Sequence, residues 1–381
     1  MNFIKIYKIK VLSSIITIIR NSMGIKNLNV LLKKLVKNGI QIESLDNFSN
    51  QIIAIDTSNY LYKFKYDNGN FLRKFIDQIM MFWKYNITPI YILDGAPPKQ
   101  KNETLKKRKN IKNKNKNDIA TLETQIIEQD KLYDKTKKEL SMNKLFAPDK
   151  EKEVELSNTL IEIEETIKTN KLKLKKKIKN VISISPNDIN NCKNLFNLLG
   201  VKYIVADSEA DILCAELQIN NIVDACMSED MDFLTHGCTK LLKNYNYRDN
   251  TVKVYTLPII LEELNLSYDK FVDVCILCGC DYTTKIHGIG PISALKYINK
   301  YGSIENIIQE IDNTLLKLTV DPNFDYLNSR DLFKIKKKSP LEREDVLVGH
   351  INYNNLISFL NECKIKYSMQ KIKTYRNQLY Q

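Results

Sequence analysis

ACMSEDMDFLTHG, residues 225–237, sets Glu229, Asp230 and Asp232 at the end of an apolar run. Carboxylates crowded where a core segment stops repel one another. Three other segments share the plan. QIIAID ends at Asp56, PIYILD ends at Asp94, and VKYIVADSEAD carries Asp207, Glu209 and Asp211. Uninterrupted apolar runs of this length fit parallel strands covered on both faces. Helical patterns lie between them, such as NFLRKFIDQIMMFWKYN before Pro89. Alternating strand and helix predicts an α/β fold. Ligands of open α/β sheets gather at the carboxyl ends of the strands.

Separate strands thus deliver carboxylates to one edge. With extended backbone, Asp230 and Asp232 point to the same side, as do Glu209 and Asp211, because side chains alternate along a strand. A cation is the usual remedy for like charges held together. An all-oxygen donor set suits a hard ion, Mg²⁺ or Mn²⁺. For any single acid, capping of the next helix is the plainer reading, and Ser208 ahead of Glu209 and Asp211 does read as a helix start. Four strand ends that all finish acidic favour the metal.

The chain has 381 residues, a formal net charge of +13 and 43% hydrophobic residues, enough for one large domain or two ordinary ones. Its basic balance suits a polyanion such as nucleic acid or an anionic membrane face, though a Lys-rich surface alone gives the same total. Eight Cys and three His are present. Cys275, Cys278 and Cys280 lie close together without partners that would complete a zinc site, so they read as reduced core thiols. A chain without a disulfide framework fits a reducing compartment. Residues 1–22, MNFIKIYKIKVLSSIITIIRNS, are basic and then apolar. That run is short for a membrane span and lacks a signal-peptide cleavage site, so it reads either as a leader or as the product of an unused upstream start with Met23 the true start, and it is set aside.

From Lys99 to Asp118 there are nine Lys or Arg and two acids. Ile119, Ile126, Tyr133 and Leu140 then recur every seven residues, and Leu160, Ile167, Leu174 and Val181 do so after Pro148. Two heptad segments around a Pro-containing turn predict an antiparallel helical hairpin projecting from the sheet. Its second arm ends in KLKLKKKIK, with six Lys. A solvated charged face explains that composition equally well. Beyond residue 251, VYTLPIILEELNLSYDKFVDVCILCGC reads as mostly helical and ends before Asp281. His287-Gly288-Ile289-Gly290, with Pro291 at a helix start, forms a turn whose N–H groups can meet phosphate. KIKKKSPLEREDVLVGH belongs to a vaguely helical, basic tail.

Taken in order from Met23 to about Ile308, the chain resembles the flap endonucleases, within the XPG-type structure-specific 5′ nucleases. MGIKNLNVLLKKL, DTSNYLY, LDGAPPKQKNETLKKRK, DSEADILCAEL, SEDMDFLTHG and FVDVCILCGCDYTTKIHGIGPISAL are similar to its signature blocks. The expected fold is α/β: a central, mostly parallel sheet flanked by helices, an extended helical arch, and a helix–two-turn–helix DNA-binding region. The chain then divides into a leader (1–22), an N-terminal nuclease part (23–100), the arch with its heptad hairpin (101–182), an internal nuclease part (183–310) and a helical tail (311–381).

The resemblance implies seven metal-site carboxylates: Asp56, Asp94, Glu209, Asp211, Asp230, Asp232 and Asp281. They would hold two Mg²⁺ ions, with Mn²⁺ as a substitute. It also implies Lys101 and Arg108 near the scissile phosphate, Tyr62 stacked beside the cut, and Gly24 close to DNA. Gly288 and Gly290 would grip duplex phosphates. Glu229 and Asp207 are not carried over and read as solvent-facing or capping residues. The family usually has Glu where this chain has Asp211, and the stretch between Asp94 and Glu209 is longer than usual. SMQKIKTYRNQLYQ lacks a sliding-clamp-binding box.

The expected activity is two-metal hydrolysis of DNA at 5′ flaps, nicks or junctions in replication or repair, by a monomer. It would work inside the cell, at a nuclear or cytoplasmic replication site, and not at a membrane. The alternatives are a relative acting on bubbles, gaps or four-way junctions, a non-catalytic DNA-binding protein, and a single-strand RNase.

Overall fold

The computed structural model describes residues 24–66, 70–146, 148–313, 316–334 and 341–379. The leader, and all of KIKKKSP after Lys334, lie outside the described residues. The chain forms two compact units. One is built from the chain up to Asn102 and from Ile184 onward, and the other spans Glu103–Ser183. Among the described residues no helix is long and apolar enough to cross a membrane.

The first unit is built on seven strands: β1 (Ile40–Ser44), β2 (Ile52–Asp56), β3 (Thr88–Leu93), β4 (Tyr203–Val205), β5 (Ala225–Met227), β6 (Lys240–Asn246) and β7 (Thr251–Thr256). They lie in the order β1-β7-β6-β5-β2-β3-β4. Four neighbouring pairs are parallel, from β6 through β5, β2 and β3 to β4, while β7 pairs antiparallel with β6 and β1.

Period-two alternation explains why the middle strands carry unbroken apolar runs. In β2, Ile52 and Ala54 enter the core on one face, and Ile53 and Ile55 the core on the other. In β3, Ile90 and Ile92 face the first core and Tyr91 the second. Each buried aliphatic side chain contributes roughly 1.5–3 kcal/mol.

The helices of this unit are α1 (Leu28–Leu35), α2 (Thr57–Tyr66) and α3 (Phe71–Lys84). After the second unit's α4 (Asn102–Phe146) and α5 (Lys150–Asn180) come α6 (Pro186–Leu199), α7 (Ala210–Ile219), α8 (Asp232–Thr235), α9 (Leu257–Leu264) and α10 (Tyr268–Cys278). A short ribbon of β8 (Ile286–His287) and β9 (Thr319–Val320) brackets α11 (Pro291–Tyr301) and α12 (Ile304–Asp312). Last come α13 (Tyr326–Phe333), α14 (Tyr353–Glu362) and α15 (Met369–Gln378).

Helix α3 starts where the Asn70 side chain accepts the main-chain N–H groups of Leu72 and Arg73, a standard N-cap. It buries Phe75, Ile79, Phe82 and Trp83. Phe75 meets Phe64 edge-on at 4.9 Å and Phe196 at 5.5 Å, and Tyr91 stacks on Phe196 at 4.2 Å.

The C-terminal segment is not a loose tail. Helix α15 lies against α3, with the Arg376 guanidinium 5.2 Å from the Trp83 ring and Ile372 fully buried. Tyr367 donates to Asp77 Oδ1 at 3.0 Å. Short amphipathic helices in a Lys- and Asn-rich context leave a weak periodic signal, which is why the sequence reads here as featureless. VYT, read as the start of a helical stretch, is the end of β7.

The second unit is the hairpin of α4 and α5. Its cross-helix pairs run in opposite directions: Lys144 with Glu153 (3.0 Å), Glu139 with Lys152 (3.2 Å), Asp130 with Lys171 (3.5 Å) and Asp118 with Lys177 (2.6 Å). Ile126, Ile163 and Ile167 are buried in the seam, but so are Asn115, Thr136, Asn143 and Asn170. Asn170 Nδ2 donates to Gln129 Oε1 at 3.1 Å, and Lys177 Nζ to Asn115 Oδ1 at 3.0 Å. Polar layers in a seam lower stability and fix register.

Candidate active site

The strand ends carry the acids. Asp56 closes β2. Its Oδ1 accepts the Asn59 N–H and its Oδ2 the Ser228 hydroxyl, both at 3.0 Å. Asp94 follows β3 and accepts the Ala210 N–H at 2.9 Å, pinning the start of α7 to the end of β3. Glu209 is the N-cap residue of α7 and Asp211 lies in its first turn. Asp281 follows α10.

The backbone at 230–232 is not extended as expected. Strand β5 stops at Met227, the chain bends, and Asp232 opens α8. A local hydrogen-bond ladder replaces strand alternation. Asp230 N–H donates to Ser228 Oγ, and Asp232 N–H to Asp230 Oδ1, each at 3.1 Å. Short polar side chains commonly hold a turn this way. Glu209 and Asp211 are likewise related through a helix start and not through a strand.

Lys101 reaches into this acidic group. Its ammonium pairs with Glu209 Oε1 and lies 3.7 Å from Asp281 Oδ2. Tyr282 donates its hydroxyl to Glu209 Oε2 at 2.9 Å. Burial alone would lower the Lys101 pKa, but Glu209, Asp211 and Asp281 outweigh it and hold it raised. Burial, then the Asp94 charge, pushes Asp56 up to about 7. Burial and Glu209 raise Asp211, with Asp230 and Asp56 adding to the shift. Burial raises Asp232, helped by Asp230, Asp211 and Asp281. Carboxylates from four strand ends and from the end of α10 therefore feel one another.

The start of the described chain closes one side. Ile25 N–H donates to Asp232 Oδ1 at 2.6 Å. Gly24 has φ +70°, and a Cβ there would fall 1.9 Å from Asp230 Oδ1.

Among the described residues no three His, Cys, Asp or Glu side chains converge closely enough to chelate one ion as they stand. Lys101 and Tyr282 occupy both Glu209 oxygens. The donor chemistry still fits a hard dication. The acids are oxygen-only, buried and mutually destabilised, the condition that a bound cation relieves.

The other predicted residues lie on separate elements. Tyr62 is 42% exposed on α2. Arg108 lies early in α4, half-buried in the helical unit. Gly288 has φ +91° and a Cβ there would meet Leu318 at 2.9 Å, whereas Gly290 faces open space at the N-cap of α11. Only the first of these glycines is required by the backbone. Asp207 is exposed. Glu229 is not solvent-facing: it pairs with Lys63 at 2.5 Å and accepts the Asn244 N–H. The eight cysteines are free thiols, seven of them buried.

Sequence reading missed Ser228, Asn59, Tyr282 and His236. All four lie within or beside quoted motifs, but their roles depend on contacts that the motifs do not show. His236 is fully buried and packs on Phe333, ring centroids 5.1 Å apart. The Phe333 main chain lies within its influence, but neither ring nitrogen makes a well-formed hydrogen bond. Burial, with the Lys101 charge, lowers its pKa to about 3.

Residues 23–115 match the XPG N-terminal domain and residues 200–281 the XPG I-region. Flap endonuclease 1 of Encephalitozoon cuniculi is 30% identical over 359 residues, covering 90% of this chain and 90% of that protein. Flap endonuclease 1 of Leishmania major is 30% identical over 364 residues, covering 90% and 81%. In fold, the chain is similar to the catalytic core of Rad2 solved with a DNA substrate, with a TM-score of 0.62, 20% identity, and coverage of 93% of this chain and 99% of that one. The chain belongs to the XPG family of nucleases, on its flap endonuclease side. It is accordingly a structure-specific 5′ nuclease that hydrolyses DNA at flaps, from a family whose chemistry depends on metal ions.

Proposed function

We propose that Asp56, Asp94, Glu209, Asp211, Asp230, Asp232 and Asp281 hold two divalent ions, Mg²⁺ with Mn²⁺ as a substitute. The observation that carries this is the gathering of carboxylates at the ends of β2 and β3, the starts of α7 and α8 and the end of α10, with Lys101 reaching Glu209 and Asp281 among them. Once bound, the ions would supply an activated water and offset charge on the phosphate.

The chain's own groups do the rest. Ser228, Asn59 and the Ala210 and Ile25 N–H groups fix the directions of Asp56, Asp94 and Asp232. Lys101 balances the acids until substrate arrives and then offsets transition-state charge on the phosphate, a role that the family resemblance also implies for Arg108. Tyr62 stacks beside the cut, and Gly24 lets DNA approach. The turn at Gly288 and Gly290 holds duplex phosphates, which sets position without reading sequence. The basic hairpin arms, 103–183, attract single strands electrostatically.

The enzyme works as a monomer inside the cell, at a nuclear or cytoplasmic site of DNA replication or repair. The packing of α15 on α3 supports a structural role for that helix. The test is Asp230→Ala on a labelled 5′-flap substrate with Mg²⁺. Wild-type cleavage in that variant overturns the metal assignment. Nicked, bubble, gapped and four-way-junction substrates run alongside settle which junction is preferred.

A further inference from the structure

His236 lies where α8 ends, four residues beyond Asp232, and its side chain is wholly inside the protein. Neither ring nitrogen makes a hydrogen bond of good geometry, but the Phe333 main chain acts on the ring, so at least one nitrogen is left without a partner, a loss of about 1–3 kcal/mol for a buried polar group. Such a cost calls for a partner that the isolated chain does not supply. The ring is directed. Its Nε2 stands 3.8 Å from Asp211 Oδ2, while Asp211 Oδ1 already accepts the Ile212 N–H at 2.8 Å.

A separation of 3.8 Å is too long for a hydrogen bond. It suits two ligands of one ion, because donors each about 2.0–2.2 Å from a metal stand roughly 3–4 Å apart. A neutral imidazole keeps a lone pair on one nitrogen, and a main-chain carbonyl commonly holds the proton of the other. Here the Phe333 main chain lies against the ring.

We infer that His236 Nε2 is a nitrogen ligand of the divalent ion held by Asp211, making this part of the acidic centre a mixed nitrogen–oxygen site. The inference rests on the metal reading of the carboxylates given above. Its chemical consequence is selectivity. An imidazole favours first-row transition ions such as Mn²⁺ and Co²⁺ over Mg²⁺, which prefers oxygen and keeps its waters.

The test is electron spin-echo spectroscopy of Mn²⁺ added to the full chain without DNA. Wild-type protein grown on ordinary and on ¹⁵N-labelled histidine should show imidazole nitrogen modulation that changes with the label. No folding-sensitive variant is needed for this arm. His236→Gln should abolish the modulation and weaken Mn²⁺ binding about 10–100-fold, a span typical of metal-centre partners, with a smaller loss for Mg²⁺. If Mn²⁺ binds with no histidine modulation, or the modulation survives in His236→Gln, the inference is overturned while the carboxylate site stands. If Mn²⁺ does not bind at all, both fall together.

Discussion

Ile25 donates its main-chain N–H to Asp232 Oδ1 at 2.6 Å, joining the start of the described chain to an acid 207 residues later. The contact brings Gly24 so close to Asp230 that no side chain fits. Gly24→Ala must shift the Asp230 carboxylate and hold alanine at a positive φ, which costs about 1–2 kcal/mol by itself. Flap cleavage should fall at least about tenfold, and Mn²⁺ affinity should fall with it. Wild-type kinetics and metal binding in this variant would show that the close approach does not matter.

The raised acids make a pH prediction for the metal-free protein. Asp56, Asp211 and Asp232 hold protons more tightly folded than unfolded. Stability should therefore be highest below about pH 4, the ordinary carboxylate range, as far as these groups decide it. It should fall as pH rises through about 7, the Asp56 value, by a few kcal/mol. Melting in EDTA should drop between pH 5 and pH 8, and Mg²⁺ should restore more at pH 8. A flat profile in EDTA would contradict the burial of these groups.

Tyr282 and Lys101 share Glu209, one on each oxygen. Tyr282→Phe removes a hydrogen bond to a charged group, a change of about 1.5–3 kcal/mol in how firmly Glu209 is held. The divalent ion concentration for half-maximal cleavage should shift several-fold while DNA affinity stays put. A fall in DNA affinity alone would assign Tyr282 to the substrate.

In the hairpin, Asn170 Nδ2 donates to Gln129 Oε1 across the seam. Asn170→Leu strands the Gln129 amide and should destabilise the hairpin by about 1–3 kcal/mol. Replacing both with Leu should recover that loss and more, since apolar seam residues pack better. Hydrogen exchange of residues 103–183 reads both changes. Equal protection in the single and double variants would show the pair to be indifferent.

Much of the parallel sheet can be read from sequence because β2, β3 and β5 are buried on both faces, so their apolar runs are unbroken. Strands β1, β6 and β7 escape notice because they carry charges such as Glu43, Lys240, Lys243 and Lys253. Lys243 shows why. Its stem is buried while its ammonium finds the Glu229 carbonyl, a partner invisible to periodicity. Asp230 and Asp232 stand out through charge crowding, but the local reason is a bend and a helix start, set by the Ser228 hydroxyl. Heptad spacing announced the hairpin, yet only one of the two seam positions per heptad is consistently apolar. Tyr282 and His236 gain meaning only from neighbours far along the chain.

Splicing the long hairpin between β3 and β4 has a consequence for synthesis. When the ribosome has made Asp56 and Asp94, it must still make the whole helical insertion, β4, β5 and α10 before Asp281 emerges. Until Met227 is made β2 lacks its β5 neighbour, and until Asp281 is made the acidic group is incomplete. A half-made chain thus presents no working blade to DNA, and cutting power arrives only when nearly the entire sheet unit can close.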